Sequence, residues 1–406
     1  MRRSISKILG GSLLIAGTTI GAGMLALPVS TGLAGFIPAL ALLVVYWLFM
    51  IYTAFLFLEV NLWLEGDINL VSMAKKTLGL WGEVFAWIFY MFLLYTLTTA
   101  YIAAASPLFL DTVGYLIGKT LPNWIGSLPL LLIFGYFVFR GTHYVDIINR
   151  LMMCGLAIAY AFIVILLIPD LQLSDLKHQE WKYLPLALSL VATSFGFHII
   201  IPSLTTYLDH HVGRLKKTLI IGSLFPIIIY ILWDFVAIGT IPLEGPNSIT
   251  EGFLYGIDGT TLIASALNGE SFLIKFAAKS LSFFAIVTSF LGVSLALHDF
   301  LADGVGIDKE GPGKGILILL TFVPPLIFAL TFSRVFFTAL EYAGAFGVVT
   351  LLGLLPALMV WSGRYRLGLK GAFTTPGGKF GLIFVILFSL AVMIMELINK
   401  WGWIAL

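Results

Sequence analysis

Residues 16–28 read AGTTIGAGMLALP. They lie inside an apolar run from Ile8 to Ala34. That run is long enough to cross a hydrocarbon core about 30 Å thick, which takes roughly 20 residues of helix. Three glycines and two threonines crowd its middle. Lipid offers no partner to a freed amide or carbonyl, so non-helical backbone persists at membrane depth only where protein covers it or water reaches it. The stretch therefore reads as a span that breaks halfway, with Gly17, Gly21 and Gly23 permitting the unwinding and a close approach of other groups.

Composition sets the frame for that reading. The chain has 406 residues, 60% hydrophobic and 11% charged, with a mean hydropathy of +1.03. A soluble protein of this length could not bury so much apolar surface. The alternating short strands of an outer-membrane barrel are absent. A polytopic, all-α membrane protein of the cytoplasmic-membrane type is expected. The net charge of +2 points to no nucleic acid partner. The single cysteine, Cys154, allows no intrachain disulfide. The start, MRRSISK, resembles a signal peptide, but the apolar stretch after it is too long and lacks an A-x-A site, so it reads as a retained first span.

Eleven spans are expected, over 6–34, 37–64, 82–110, 127–141, 149–170, 183–208, 216–242, 272–302, 315–332, 336–361 and 380–398. The longest link, 243–271, carries the turn-rich GPNS and IDGTT and reads as an ordered cap with short helices. With the N-terminus cytoplasmic, the inner side would hold 16 of the 23 Lys and Arg residues, which places the C-terminus outside.

Span 6 contains VATSFGFHIIIP, residues 191–202. Set against the first stretch, Thr18 matches Thr193, Thr19 matches Ser194 and Gly21 matches Gly196, and a proline follows each copy, Pro28 and Pro202. Five spans separate the two starts, so the second copy runs in the opposite direction. This is the pattern of a 5+5 inverted repeat, with units at 1–175 and 176–364 and an eleventh span within 365–406.

A break frees amides at the start of one half-helix and carbonyls at the end of the other. The amides suit a carboxylate; the carbonyls suit an ammonium group or a small cation. Two facing breaks can hold both ends of a zwitterion, with hydroxyls from Thr18, Thr19, Thr193 and Ser194. The competing reading of Gly17 and Gly21 is a G-x-x-x-G packing face, which does not require the same polar cluster in both halves. A phosphate loop is excluded, since no strand precedes and no G-x-x-x-x-G-K occurs.

Three segments, AGTTIGAGMLALP, TSFGFH and AIVTSFLGVSLALHDFLAD, resemble the hydroxy and aromatic amino acid permeases, a branch of the amino acid–polyamine–organocation superfamily. Within it the chain looks most like the tyrosine-specific permeases, over nearly its whole length, including NR at 149–150 and PP at 324–325. The resemblance implies a LeuT-like fold with spans 1 and 6 unwound around an amino acid. It implies that Thr19, Gly21, Ala22 and Gly23 bind the carboxylate and amine. Ser194, Phe195, Gly196 and Phe197 would line the other side, where aromatic rings suit an aromatic cargo. Tyr95 on span 3 would close the pocket or serve as an ordinary core tyrosine. His198 would touch a phenol hydroxyl, carry a proton, or sit as a satisfied interior histidine.

The same resemblance implies a sodium site from the carbonyls of Gly17, Ile20 and Ala285 and the hydroxyls of Thr288 and Ser289, an uncharged oxygen cage that suits a hard cation. The plainer reading has both hydroxyls bonded back to their own helix. Proton-coupled relatives often place a lysine of span 5 there, and span 5 here, RLMMCGLAIAYAFIVILLIP, has none. Proton coupling would instead use Glu59, Asp234, Glu341 or Glu396, ionisable groups inside spans. Glu59 has a second reading, as an acceptor for the broken backbone of span 6. No cofactor is implied beyond the coupling ion, and no obligate protein partner beyond the bilayer and a small amino acid.

Three other classes compete. An intramembrane serine hydrolase would use Ser294 of GVSLA with His298, but the second glycine of G-x-S-x-G and its strand-to-helix turn are missing. A channel would pass solute only downhill. A receptor would need a sizeable soluble domain, which the chain lacks.

Overall fold

The computed structural model describes residues 2–64, 68–117, 122–266, 272–307, 313–332 and 334–402. Lys119 and Lys309, two of the residues used to orient the chain, lie outside them. The chain is helical, with no strand among the described residues. The helices are α1 (Arg2–Thr19), α2 (Gly23–Gly32), α3 (Phe36–Trp63), α4 (Leu70–Leu78), α5 (Leu80–Ile117), α6 (Trp124–Arg140), α7 (Thr142–Leu167), α8 (Leu188–Ser194) and α9 (Ile201–Tyr207). They continue with α10 (Val212–Ile238), α11 (Ile249–Tyr255), α12 (Gly259–Ala266), α13 (Phe272–Val305), α14 (Gly313–Thr331), α15 (Val335–Tyr365) and α16 (Gly378–Lys400).

Among the described residues nine helices are long and apolar enough to cross a membrane, or ten if the bent pair α1–α2 counts as one. The stretch expected as span 4 is the shorter apolar helix α6. Pro129 withholds a donor there, and the hydrogen-bond ladder loosens to a π-turn over Leu130–Phe134. Helix α7 begins seven residues before the expected span, because Gly141, at φ +99°, makes the turn out of α6 that a side chain would resist. The 243–271 link holds the two short helices α11 and α12, the first capped by the Ser248 hydroxyl accepting from Glu251 N.

Burial sorts the helices into a centre and a rim. Helices α7, α14 and α16 are mostly exposed along their apolar lengths and form the rim, whereas α15 is the most deeply buried span. Its middle, Ala343–Leu354, is a long π-helical stretch. Glycines let its neighbours approach: a Cβ at Gly344 would collide with Ser189 O, one at Gly347 would lie 2.8 Å from the Leu93 side chain, and one at Gly353 2.8 Å from Ser389 Oγ. Helix α10 packs along both α1 and α2 and against α3, and α13 packs against α5 and α7. The second broken segment, α8, packs against α2, α3 and α15.

Candidate substrate and ion site

The first break is present. Helix α1 ends at Thr19, α2 restarts at Gly23, and their axes bend by 63°. The second is also present: α8 ends at Ser194, Phe195–Phe197 are irregular, and a 3₁₀ turn over His198–Ile200 leads into α9. The breaks adjoin, since a Cβ on Gly23 would sit 3.1 Å from Ser194 Oγ. The backbone amides of Gly21, Gly196 and Phe197 donate to no protein acceptor among the described residues.

The free carbonyls are held from α10. The Tyr230 hydroxyl lies 2.8 Å from Thr19 O and 2.8 Å from Ser194 O, so one buried phenol serves the end of each half-helix. Its ring meets Phe195 edge-on at 5.3 Å. One turn along, Trp233 Nε1 donates to Met24 O at 2.9 Å. That carbonyl is free because Pro28, four residues on, has no N–H to give it. Neither α10 residue is flagged by the sequence: a lone Tyr or Trp in an apolar helix carries no motif.

The amide side is held from α13. Ala22 N donates to Ser289 Oγ at 2.8 Å, and a Cβ on Gly21 would run into that same oxygen. The Tyr101 side chain of α5 reaches Ser289. Ser289 thus stands at the break. The Thr288 hydroxyl instead bonds back to Phe284 O at 2.8 Å and Ala285 O at 3.1 Å. Ala285 is buried on the same helix. Gly17 faces Met153 of α7, whose methyl carbon would lie 3.4 Å from a Cβ there, and Ile20 N closes the last turn of α1 onto Ala16 O.

Several hydroxyls at the breaks are engaged by backbone carbonyls. Thr18 and Thr19 bond back to Leu14 O and Ile15 O, each at 2.7 Å. Thr193 donates to Leu340 O of α15 at 2.7 Å, and Ser194 lies 3.3 Å from Leu190 O. Of these residues, the backbone carries the break. Phe195 and Phe197 are both buried, and a Cβ on Gly196 would lie 3.3 Å from Leu352 of α15. His198 turns to α3, with Nε2 2.9 Å from Thr53 Oγ1. Tyr95 is not brought to the break. Its hydroxyl donates to Leu320 O of α14 at 2.9 Å, and it packs with Leu94, Leu297 and Leu317. Tyr101, six residues on, is the tyrosine of α5 that reaches the site.

The in-span acids have distinct surroundings. Glu59 is buried in a two-point ion pair with Arg364, Nε to Oε1 at 2.7 Å, and accepts from Thr375 N at 2.7 Å. Its partners are thus Arg364 and Thr375, not the backbone of the second break. Glu341 pairs with Lys400 and lies 3.8 Å from Arg334. Glu396 lies 3.5 Å from Lys400 and accepts from Ser189 at 2.7 Å. Asp234 is fully buried, and among the described residues its one hydrogen-bond partner is Thr31. The residues of the hydrolase reading sit on unbroken helix: the Ser294 hydroxyl bonds back to Phe290 O, with no turn exposing it.

A multi-pass membrane protein with two adjoining broken helices, each presenting unfilled backbone groups, is organised as a carrier of a small polar-ended solute. The model of the tryptophan/tyrosine permease family matches residues 4–396, and the chain belongs to that family of amino acid transporters, not to an enzyme family. It is 34% identical to tyrosine-specific transport system 1 of Haemophilus influenzae over 394 residues, 96% of each chain. It is 31% identical to tyrosine-specific transport system 2 of the same organism, over 98% of each. It is 32% identical to a tryptophan-specific transport protein of Pseudomonas aeruginosa, over 98% of this chain and 96% of that one.

Proposed function

We propose that this chain imports an aromatic amino acid, tyrosine above others, by cation-coupled symport across a bacterial cytoplasmic membrane, with its N-terminus inside and C-terminus outside. The observation that carries this reading is the adjoining pair of breaks, with amides at Gly21, Gly196 and Phe197 that donate to no protein acceptor among the described residues and carbonyls gathered by Tyr230. The substrate carboxylate and amine bind Thr19, Gly21, Ala22 and Gly23 through backbone. Phe195 and Phe197 supply the aromatic wall with Ser194 and Gly196. The two tyrosine-specific relatives favour tyrosine as cargo. The fold is LeuT-like, 5+5 with an eleventh span, units 1–175 and 176–364 and α6 as the fourth span.

Sodium is the coupling ion, held by Gly17, Ile20, Ala285, Thr288 and Ser289. Support comes from the hydroxyl of Ser289 at the break and from the methionine, not a lysine, that α7 brings to Gly17. One cation moving inward supplies about 2.3 kcal/mol per 100 mV of membrane potential. A tenfold gradient adds about 1.4 kcal/mol, so one cation supports accumulation of several hundredfold. A second reading, proton-coupled uptake of tryptophan or another aromatic or hydroxy amino acid, is favoured by the buried carboxyl of Asp234, which has no cation partner among the described residues.

Radiolabelled tyrosine uptake in proteoliposomes, with sodium and proton gradients imposed separately and tryptophan as competitor, tests the reading. Accumulation above the external concentration under one gradient is expected. Mere equilibration, or no saturable uptake of either amino acid, would overturn it.

A further inference from the structure

Asp234 is 0% exposed, and its Oδ1 has no hydrogen-bond partner among the described residues. Its Oδ2 lies 2.9 Å from Thr31 Oγ1 on α2, and that same hydroxyl oxygen lies 2.8 Å from Leu27 O. A threonine hydroxyl has one hydrogen. If Asp234 were ionised, that hydrogen would serve either Leu27 O or Asp234 Oδ2, and the other contact would be two oxygens with nothing between them. The carboxylate would then sit in the interior with at most one donor and no cation, a state that costs several kcal/mol per ion. A proton on Oδ2 closes the count. Asp234 donates to Thr31 Oγ1, Thr31 donates to Leu27 O, and Oδ1 is left as the oxygen of a neutral acid, far cheaper to bury than a charge.

The surroundings supply nothing to balance a charge. The titratable side chain that faces Asp234 from α7 is Tyr160, and its hydroxyl is committed to Ile229 O at 2.9 Å. From α1, α2 and α3 the side chain bonded to Asp234 among the described residues is Thr31 of α2. In the segment before α8, Lys177 and Asp175 form a 3₁₀ turn against α10, and the His178 ring engages Leu33 O at 3.2 Å. No Lys, Arg or His stands within ion-pair distance of Asp234 among the described residues.

From this geometry we propose that Asp234 is a proton-binding site, and that its proton is linked to the seating of α2 on α10. Asp234 lies one turn beyond Tyr230, which holds both breaks, and beside Trp233, which holds Met24 O. With the proton present, the carboxyl bonds Thr31 and the end of α2 is fixed in the position that closes the site. Loss of the proton leaves a buried charge that is relieved by α2 moving off α10 and admitting water. Proton binding and substrate binding are then reciprocally linked. This holds whichever cation drives uptake.

The test has two arms on the full-length protein in liposomes. In the first, infrared difference spectra seek the carbonyl stretch of a protonated carboxylic acid, shifted by exchange into deuterated water. The band is expected in the wild type and lost in Asp234→Asn. Its absence from the wild type, or its persistence in Asp234→Asn, overturns the proposal. In the second, equilibrium binding of radiolabelled tyrosine is measured against pH. Wild-type affinity should fall as pH rises, by up to about tenfold per pH unit for one linked proton. Asp234→Asn, which keeps a donor towards Thr31, should bind as the protonated wild type does with that dependence gone; wild-type pH dependence in this variant overturns the proposal. The second arm rests on the carrier reading, and the first does not. A chain that carried no aromatic amino acid would fail the uptake test yet keep its Asp234 band.

Discussion

The Tyr230 hydroxyl on α10 lies 2.8 Å from Thr19 O, the last carbonyl before the first break. It stands equally close to Ser194 O at the second break, 36 residues before it in the chain. One proton is shared by two acceptors that helix continuation would otherwise have satisfied. Both half-helix ends are thereby referred to a single point on α10, so a movement of either broken segment is felt by the other.

Tyr230→Phe keeps the ring that Phe195 packs against and removes the donor. Two buried carbonyls lose their partner, at a cost on the order of 1–3 kcal/mol. The protein should still insert, with a lower thermal midpoint in detergent. Initial uptake should fall about tenfold or more, since 1.4 kcal/mol misplaced from the productive geometry is one decade in rate. A variant with wild-type uptake would show that water or substrate satisfies these carbonyls as well as the phenol does.

The breaks themselves are legible in the sequence because the copies at 16–28 and 191–202 repeat the same glycines and hydroxyls, which a packing face would not require. What holds the breaks is not legible. Tyr95 and Tyr101 look alike on an apolar helix, and only the rotation of α5 brings Tyr101 to Ser289 and sends Tyr95 to Leu320 O. Trp233 answers the vacancy that Pro28 leaves at Met24 O, a relation across 209 residues. The hydroxyls of Thr18 and Thr19 match Thr193 and Ser194 in register, yet they bond along their own helix, as threonines within helices commonly do. The π-helical middle of α15 leaves no periodic signature, because its apolar residues are buried all round.

Gly21→Ala places a methyl group against Ser289 Oγ and should abolish uptake while leaving insertion intact. The Ser289 Cβ stands 3.6 Å from the same point, an ordinary contact. Ser289→Ala should therefore relieve the clash, and the double variant should transport better than Gly21→Ala alone, though below wild type because Ala22 N has lost its acceptor. Gly21→Val and Gly196→Val have no such rescue, the latter because its branches press on Leu352. Equal activity of Gly21→Ala and its double variant would argue against a steric role for this glycine.

Thr288→Ala with Ser289→Ala should remove any dependence of uptake on sodium at fixed pH and potential, leaving only residual exchange. Two oxygen ligands in an uncharged cage are lost, and a hard cation has no other charge there to hold it. Uptake that tracks a pH gradient alone, in the wild type, would remove sodium from the mechanism and leave these hydroxyls their helix-capping and break-capping roles.

The Glu59–Arg364 pair joins α3 to the end of α15, and both partners also engage Thr375, whose N–H bonds Glu59 and whose carbonyl accepts from Arg364 at 2.8 Å. Breaking a buried pair from one side leaves an uncompensated charge, which costs about 3–5 kcal/mol. Glu59→Ala and Arg364→Met should each lower the thermal midpoint sharply. The combined variant should lose clearly less than the sum of the two, because it buries no charge and gives up only the bonds to Thr375. Thermal unfolding of the two single variants and the double, at one detergent concentration, measures that difference directly. Additive losses would mean that the two residues act separately and that Glu59 is free to take part in proton movement. A large non-additive term would establish them as one structural clasp holding residues 366–377 against the bundle.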